Sequence, residues 1–511
     1  MHRRPRVLVA GLILSALVTA GIPNAHAAEP PAASAAPPAP GTLTVEQAER
    51  ELRILRRALE ALHPGLYRRQ TPEQFAAEFA RAQAEVADGS DVLEMYRLAT
   101  RIAAAVRCGH TWTNTLNQGA AVTAALAELP ALPLHVRVLE GRWQVTASAD
   151  PAVPAGSEIL RIDGRTPEAI TAMLMPYLRA DGDSDGKRID QLDTGEDGGA
   201  LDRLLPQLLP PAAAGYRIVF RRPGGRPREA TVVGLPVPRR EAALAAAGIA
   251  AESTDWRLDI ADGTAILTLP TFAFWDSDFD WRGFLDRSFE RIEREGIVRL
   301  VLDLRRNEGG DSAIADALLS HVLRSPLEIP ATRRVSAYER APYILVRYLN
   351  TWNYDFFDRT GQVRKATDGL WELIEQPVAR RIEPVARPFR GRVAMLTGPR
   401  MSSSGFLIAR DFQASGRGVL VGRPTGGSLR GLSGGELAWL ALPTSGVAVD
   451  IPLIGGIARG VGTDAAPPDR GVLPDIAVAT RLEDAVAGRD AEREAALAWL
   501  REPARATPRT P

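Results

Sequence analysis

Apolar positions along this chain change their period twice, and each change marks a different kind of structure. From Thr44 they recur every three to four residues: Ala48, Leu52, Leu55, Leu59 and Leu62 fall on one helical face. Thr44 and Gln47 form a capping-box pattern that opens this helix, and His63-Pro64 stops it. Thr71-Pro72 with Gln74 opens a second helix carrying Phe75 and Phe79, and Asp91 with Glu94 opens a third that runs toward Ala105. Residues 44–118 are therefore expected to be a helical domain. From Leu132 the period shortens to two in segments such as LHVRVLE and RWQVTAS, separated by Gly, Pro and Asp, so 119–240 reads as a β-rich module. Within it AGSEILRIDGRTPEAI predicts a strand, an Asp163-Gly164 turn and a helix from Thr166-Pro167. Beyond a helical connector, the continuous apolar runs TAILTLP, RLVLDL and RVAMLTG alternate with amphipathic helices. That alternation predicts a multi-domain α/β protein whose buried sheet lies in 252–482, with an aromatic-rich insertion at 333–385. Residues 483–511 hold a last short helix and a Pro-rich tail.

The N-terminus has another texture. MHRRPR is basic, Val7 to Ile22 is almost wholly apolar, and Ala25-His26-Ala27 offers a small-x-small cleavage pattern. The run is short and ends at Pro23, which predicts a signal peptide over 1–27, removed on export to the periplasm or the medium. Residues 28–43, rich in Pro and Ala, are expected to be a loose tether. No later stretch is long and apolar enough to span a bilayer, so no membrane contact is expected after the signal is removed. Lys and Arg total 62, equal to Asp and Glu, without a basic block, which argues against nucleic acid as a partner. Cys108 is the only cysteine, so the chain can form no internal disulfide.

Candidate chemistry is sparse. His2 and His26 leave with the signal peptide; His63 sits at a helix stop, His135 in a strand and His321 in a helix. His110 follows Gly109 where a helix gives way to TWTNT, a place from which a side chain can be aimed into a cleft. RVAMLTGPRMSSSGFLIARDF has the form strand, turn, serine cluster, helix. A serine there meets free backbone N–H groups and the positive end of the helix dipole, which suits acyl transfer, although capping the helix is the commonest job of serine at that position. RLVLDLRRNEGGDSAIADAL ends a buried strand in two glycines that can present N–H groups to an anion; without a following Lys-Ser/Thr or GxGxxG spacing, the nucleotide reading is weak.

Together these pieces resemble the C-terminal-processing and tricorn-core family of serine peptidases. The chain has His63-Pro64-Gly65-Leu66-Tyr67, then Gly109-His110-Thr111, then the strand ending at Asp303 to Gly310. The serine segment Met401 to Phe406, Gly422 to Gly427 and Gly471 to Asp475 follow in the family's order. The resemblance implies a ClpP/crotonase-like α/β core with an N-terminal helical domain and a PDZ-like β module. It also implies Ser403 as nucleophile, His110 as general base, and an oxyanion hole from the amides of Ser404, Gly310 and Gly309. It implies a peptidase acting on peptide or protein substrates through an acyl-enzyme with no cofactor; with no HExxH, paired CxxC or EF-hand loop in the sequence, no metal is expected. It leaves the oligomeric state open.

Three positions depart from the pattern. The lysine of the Ser-Lys branch is missing from Thr425-Gly426-Gly427-Ser428, which places the chain nearer the tricorn-like branch; Phe406 stands where a glutamate is usual; and Cys108 stands where an Asp often precedes Gly-His. A cysteine nucleophile beside His110 in sequence seldom has the required geometry. The acid that orients His110 is expected to be Asp469, with Glu436 as the alternative and Asp464 as a third choice; for each, a solvated surface acid is the competing reading. Two rival functions share the fold: a catalytically silent protein that binds a peptide or an apolar ligand, and an esterase using the same Ser-His pair.

Overall fold

The computed structural model describes residues 42–503 except 195–198, 250–252, 276 and 376–378. The expected signal peptide, the tether up to residue 41 and the end of the tail lie outside the described residues. No helix among the described residues is long and apolar enough to cross a membrane.

Helix Val45–Leu62 starts on the expected capping box, in which Thr44 accepts from the Gln47 N–H and Gln47 reaches back to that of Thr44. Thr71 and Gln74 repeat the device for Pro72–Glu85, and Asp91 caps Val92–Ala105. The stripe from Ala48 to Leu62 is buried against the next two helices and against segments far off in sequence. Tyr338, Leu345, Leu349 and Phe357 of the insertion join its core, as do Ala438 to Leu453 from the hairpin Leu437–Ala441/Ala448–Pro452. Buried Glu51 fastens that hairpin by accepting from the Thr444 and Ser445 N–H groups. The helical unit and the insertion thus share one core, and the chain leaving Ala105 is laid against the C-terminal half of the molecule.

Strands Leu134–Leu139, Arg142–Ser148, Glu158–Ile162, Tyr216–Arg221 and Pro227–Val232 form an antiparallel sheet in sequential order. Asp163 and Gly164 both have positive φ, as a two-residue hairpin turn with the right twist requires. Trp143 and Tyr216 pack on this sheet with Leu174 and Leu205 from the helices that cover it. Between those helices, the segment 178–190 leaves the sheet and carries Arg179, Asp181 and Lys187 toward the rest of the molecule.

The α/β core is a six-stranded sheet in the order Ile476–Ala477, Val419–Gly422, Arg392–Thr397, Arg299–Asp303, Thr264–Thr268, Arg257–Ala261, parallel except for the last pair. Both faces are covered, which is why its central strands read as unbroken apolar runs. Leu300, Leu302, Val393 and Met395 face helices Trp281–Arg294, Ser312–Val322 and Ser404–Ala414, while Val301, Ala394, Leu396 and Val421 face Ala496 and Leu500 of helix Ala491–Arg501. Strands Arg299–Asp303 and Arg392–Thr397 are direct parallel neighbours, with Asp303 opposite Leu396. The loops that follow them therefore start side by side at the carboxyl edge of the sheet, where α/β proteins build their sites.

Candidate active site

The first of these loops is shaped by Asn307, which is fully buried: its Nδ2 donates to the Leu269 carbonyl at 2.9 Å and its Oδ1 accepts from the Gly309 N–H at 2.8 Å. Gly309 and Gly310 follow with φ of 105° and 134°. A Cβ at 309 would lie 2.7 Å from that of Ser403, and one at 310 would lie 2.1 Å from the Phe272 backbone, so both positions require glycine. Phe272 pairs with this loop as the TAILTLP strand ends: its N–H donates to the Gly309 carbonyl, and its own carbonyl accepts from the Asp311 N–H.

The second loop delivers three serines to three different partners. Ser403 has φ 51° and ψ −131°, a conformation strained for a residue with a Cβ. It precedes helix Ser404–Ala414 but makes no side-chain capping bond; its Oγ lies 3.3 Å from His110 Nε2. Ser404 Oγ donates to the Gly310 carbonyl at 2.9 Å and ties the two loops together. Ser402 Oγ accepts from Lys187 Nζ at 2.6 Å and donates to the Glu308 carbonyl at 3.2 Å. Of the three amides expected to form an oxyanion hole, that of Gly309 is taken by Asn307. Those of Gly310 and Ser404 donate no bond among the described residues.

His110 arrives from the end of the third helix on a loop moulded against segment 178–190. The Gly109 N–H donates to Asp181 Oδ1 at 2.8 Å, and its carbonyl accepts from Arg179. Arg107 and Gly182 exchange bonds, the Gly182 N–H to the Arg107 carbonyl at 3.2 Å and Arg107 Nη1 to the Gly182 carbonyl at 3.1 Å. A Cβ at 109 would lie 2.5 Å from Asp181 Oδ2, which gives the glycine of Gly109-His110-Thr111 its physical reason. Arg179 stacks on Trp112, 3.8 Å from the ring centre, and pairs with Glu308 at 3.1 Å. Burial holds the His110 imidazole below its ordinary pKa; the Asp181 carboxylate opposes this, and Arg179 and Lys187 add to it. Lys187 is likewise held low by burial, against the pull of Glu308. Burial pushes the Cys108 thiol up to about 12, so it is protonated near neutrality and not poised to attack.

The acids expected beside His110 bond elsewhere. Asp469 accepts from Ser428 Oγ at 2.5 Å and pairs with Arg69 and, at 3.6 Å, with Arg430. Glu436 pairs with Arg359 and, at 3.7 Å, with Arg334. Guanidinium groups hold both carboxylates, and neither bonds to His110. The carboxylate the structure does bring close is Asp181, with an oxygen within 4.8 Å of a His110 ring nitrogen. The sequence carries no local signal for it beyond the clearance it demands at Gly109. Lys187 and Arg179, from the same segment, were equally unmarked. A small pocket beside the pair is lined by Trp112, Asn114, Leu437, Trp439 and Asp450 among others. Its aromatic walls come from TWTNT and the hairpin; Trp352 of the insertion packs against Trp439 at 5.8 Å between ring centres, while Tyr343 and Tyr354 are exposed. Asp450 accepts from Asn114 and Asn117 at 3.0 and 2.8 Å, and burial raises its pKa to about 7.

Residues 263–478, from the strand Thr264–Thr268 through both loops to the last strand of the sheet, match the family model of peptidase family S41. The α/β core belongs to that family. The chain is accordingly a serine-type peptidase, a hydrolase of peptide or protein substrates. Its fold likeness extends beyond the core. A crystal structure of a serine-to-alanine mutant of CPAF is similar over 89% of this chain and 96% of its own, with a TM-score of 0.61 at 15% identity. Mature CPAF complexed with lactacystin is similar over 89% and 98%, with a TM-score of 0.57 at 16% identity. No curated protein matches the chain by sequence.

Proposed function

We propose that this S41 peptidase is exported and cleaves peptide bonds through an acyl-enzyme on Ser403, with His110 as general base. The observation that carries the reading is the 3.3 Å approach of His110 Nε2 to the Oγ of a serine held at positive φ, at the head of a helix whose first N–H is free. Strain of this kind, about 1–3 kcal/mol, persists where surrounding structure enforces it and clusters at active sites. His110, kept neutral near pH 7 by burial, takes the Ser403 hydroxyl proton as Oγ attacks the substrate carbonyl. The Gly310 and Ser404 amides, joined by the Ser404 to Gly310 bond, receive the oxyanion. The protonated imidazole then gives its proton to the leaving amine as the C–N bond breaks, and water resolves the ester by the reverse proton path. Trp112 and Trp439 line the small pocket beside the pair. Export rests on the pattern of residues 1–27, and the five-stranded unit is read as the PDZ-like module.

The test is covalent labelling by a fluorophosphonate, mapped by mass spectrometry. Ser403 is expected to carry the label, and Ser403→Ala and His110→Ala are expected to abolish it while Ser402→Ala retains it. An inert wild-type protein, or a label elsewhere that does not need His110, returns the fold to a binding role.

A further inference from the structure

We infer that Asp181 is the acid that orients His110, delivered by segment 178–190 of the β-rich unit; the inference rests on the Ser403–His110 reading above. Two buried polar atoms lack partners among the described residues: Nδ1 of His110 and Oδ2 of Asp181. A carboxylate oxygen of Asp181 lies within 4.8 Å of a ring nitrogen of His110. That separation exceeds a hydrogen bond, but bonds of this kind are often long without substrate and tighten when it binds. Leaving both atoms unpaired in the competent enzyme would cost the desolvation of each, and pairing them removes both penalties.

The surroundings hold the carboxylate ready. Asp181 Oδ1 is anchored at 2.8 Å on the N–H of Gly109, the residue before His110, so acid and base are fixed by one peptide. Arg179 grips the carbonyl of the same Gly109, and Gly182 interlocks with Arg107. Nε2 already faces Ser403, which leaves Nδ1 as the nitrogen to be oriented. The ionisable groups acting on the ring are Asp181, Arg179 and Lys187, with His63 and Cys108 nearby; Asp181 is the one carboxylate among them. The Ser433 carbonyl also faces the ring, and it is the alternative partner for Nδ1.

Asp181→Asn keeps an acceptor for the Gly109 N–H and nearly the same volume while removing the charge. In the full-length protein, the second-order rate of fluorophosphonate labelling at Ser403 is expected to fall at least about 100-fold. The midpoint of its pH profile is expected to move to lower pH, because an anion that favours the imidazolium has gone. Asp469→Asn is expected to leave that midpoint in place. Wild-type rate and midpoint in Asp181→Asn would assign the orienting role to the Ser433 carbonyl and overturn the inference, as would a fall in rate without a shift in midpoint. An unlabelled wild-type protein would instead sink the Ser403–His110 reading and take this inference with it. If Asp181→Asn does not fold, imidazole 1H–15N spectra of the intact protein replace it: a far-downfield proton on Nδ1, as a charge-assisted bond to a carboxylate gives, is expected, and its absence, as with a carbonyl partner or a ring protonated at Nε2, refutes the inference.

Discussion

Ser403, the proposed nucleophile, has a backbone conformation that sterics resist. At φ 51° a Cβ costs on the order of 1 kcal/mol, which glycine escapes. Ser403→Gly is therefore expected to be more stable than Ser403→Ala by about 1 kcal/mol in urea unfolding, although both lack the hydroxyl. His63 shows a second conflict, between burial and charge. Its Nδ1 accepts from the Gly65 N–H at 3.0 Å, and burial depresses its pKa to about 3. Below pH 6.5 the unfolded chain binds a proton that the folded one refuses, so the folded state loses about 1.4 kcal/mol per pH unit from this residue, down to about pH 3. His63→Asn, which keeps an acceptor for Gly65, is expected to lessen the fall in the urea midpoint between pH 7 and pH 5; an unchanged fall would refute this origin. Ser403 and His110 stood out in the sequence as candidates because each lies in a short run whose neighbours have fixed jobs. Asp181 was not legible, because what marks it is contact with Gly109, 72 residues away.

Among the elements, segment 178–190 works as a clip between the β-rich unit and the serine loop. Lys187, almost completely enclosed, reaches Ser402 at 2.6 Å and Glu308 at 3.4 Å. Burial opposes the charge of Glu308, but Lys187 and Arg179 outweigh it and hold the carboxyl down at about 2. Glu308 keeps Arg179 and about a third of its side-chain exposure, so losing the lysine falls short of exposing a lone buried charge. Lys187→Met is expected to cost about 2 kcal/mol in urea unfolding and to slow labelling of Ser403, because the loop loses its tether at the preceding residue. The core strands were legible from their unbroken apolar runs, and the first two helices from Thr-x-x-Gln. The clip was not, since short polar segments that pack on distant loops have no period of their own.

Across the whole molecule, one apolar cluster unites the first helices with the insertion and the hairpin, and another seats the last helix on the back of the sheet. A helical stripe announces that a face is buried but not what buries it, so the sequence separates units that the fold joins. The last helix is held by Arg305, which bonds to Asp490 and Glu492 at 2.7 and 2.8 Å, and by Leu500 against the sheet. Leu500→Ala is expected to lower stability by about 3 kcal/mol through the cavity it leaves. Equal urea midpoints for variant and parent would show that this helix lies loosely on the sheet.

The two side chains that meet at 3.3 Å stand 293 residues apart in the chain. A polypeptide growing on the ribosome exposes His110 long before Ser403 exists, and an unfolded chain keeps them apart. On the proposed mechanism, hydrolytic power arrives only with completed folding, and long-range topology acts as a safety catch for the cell that makes the protein.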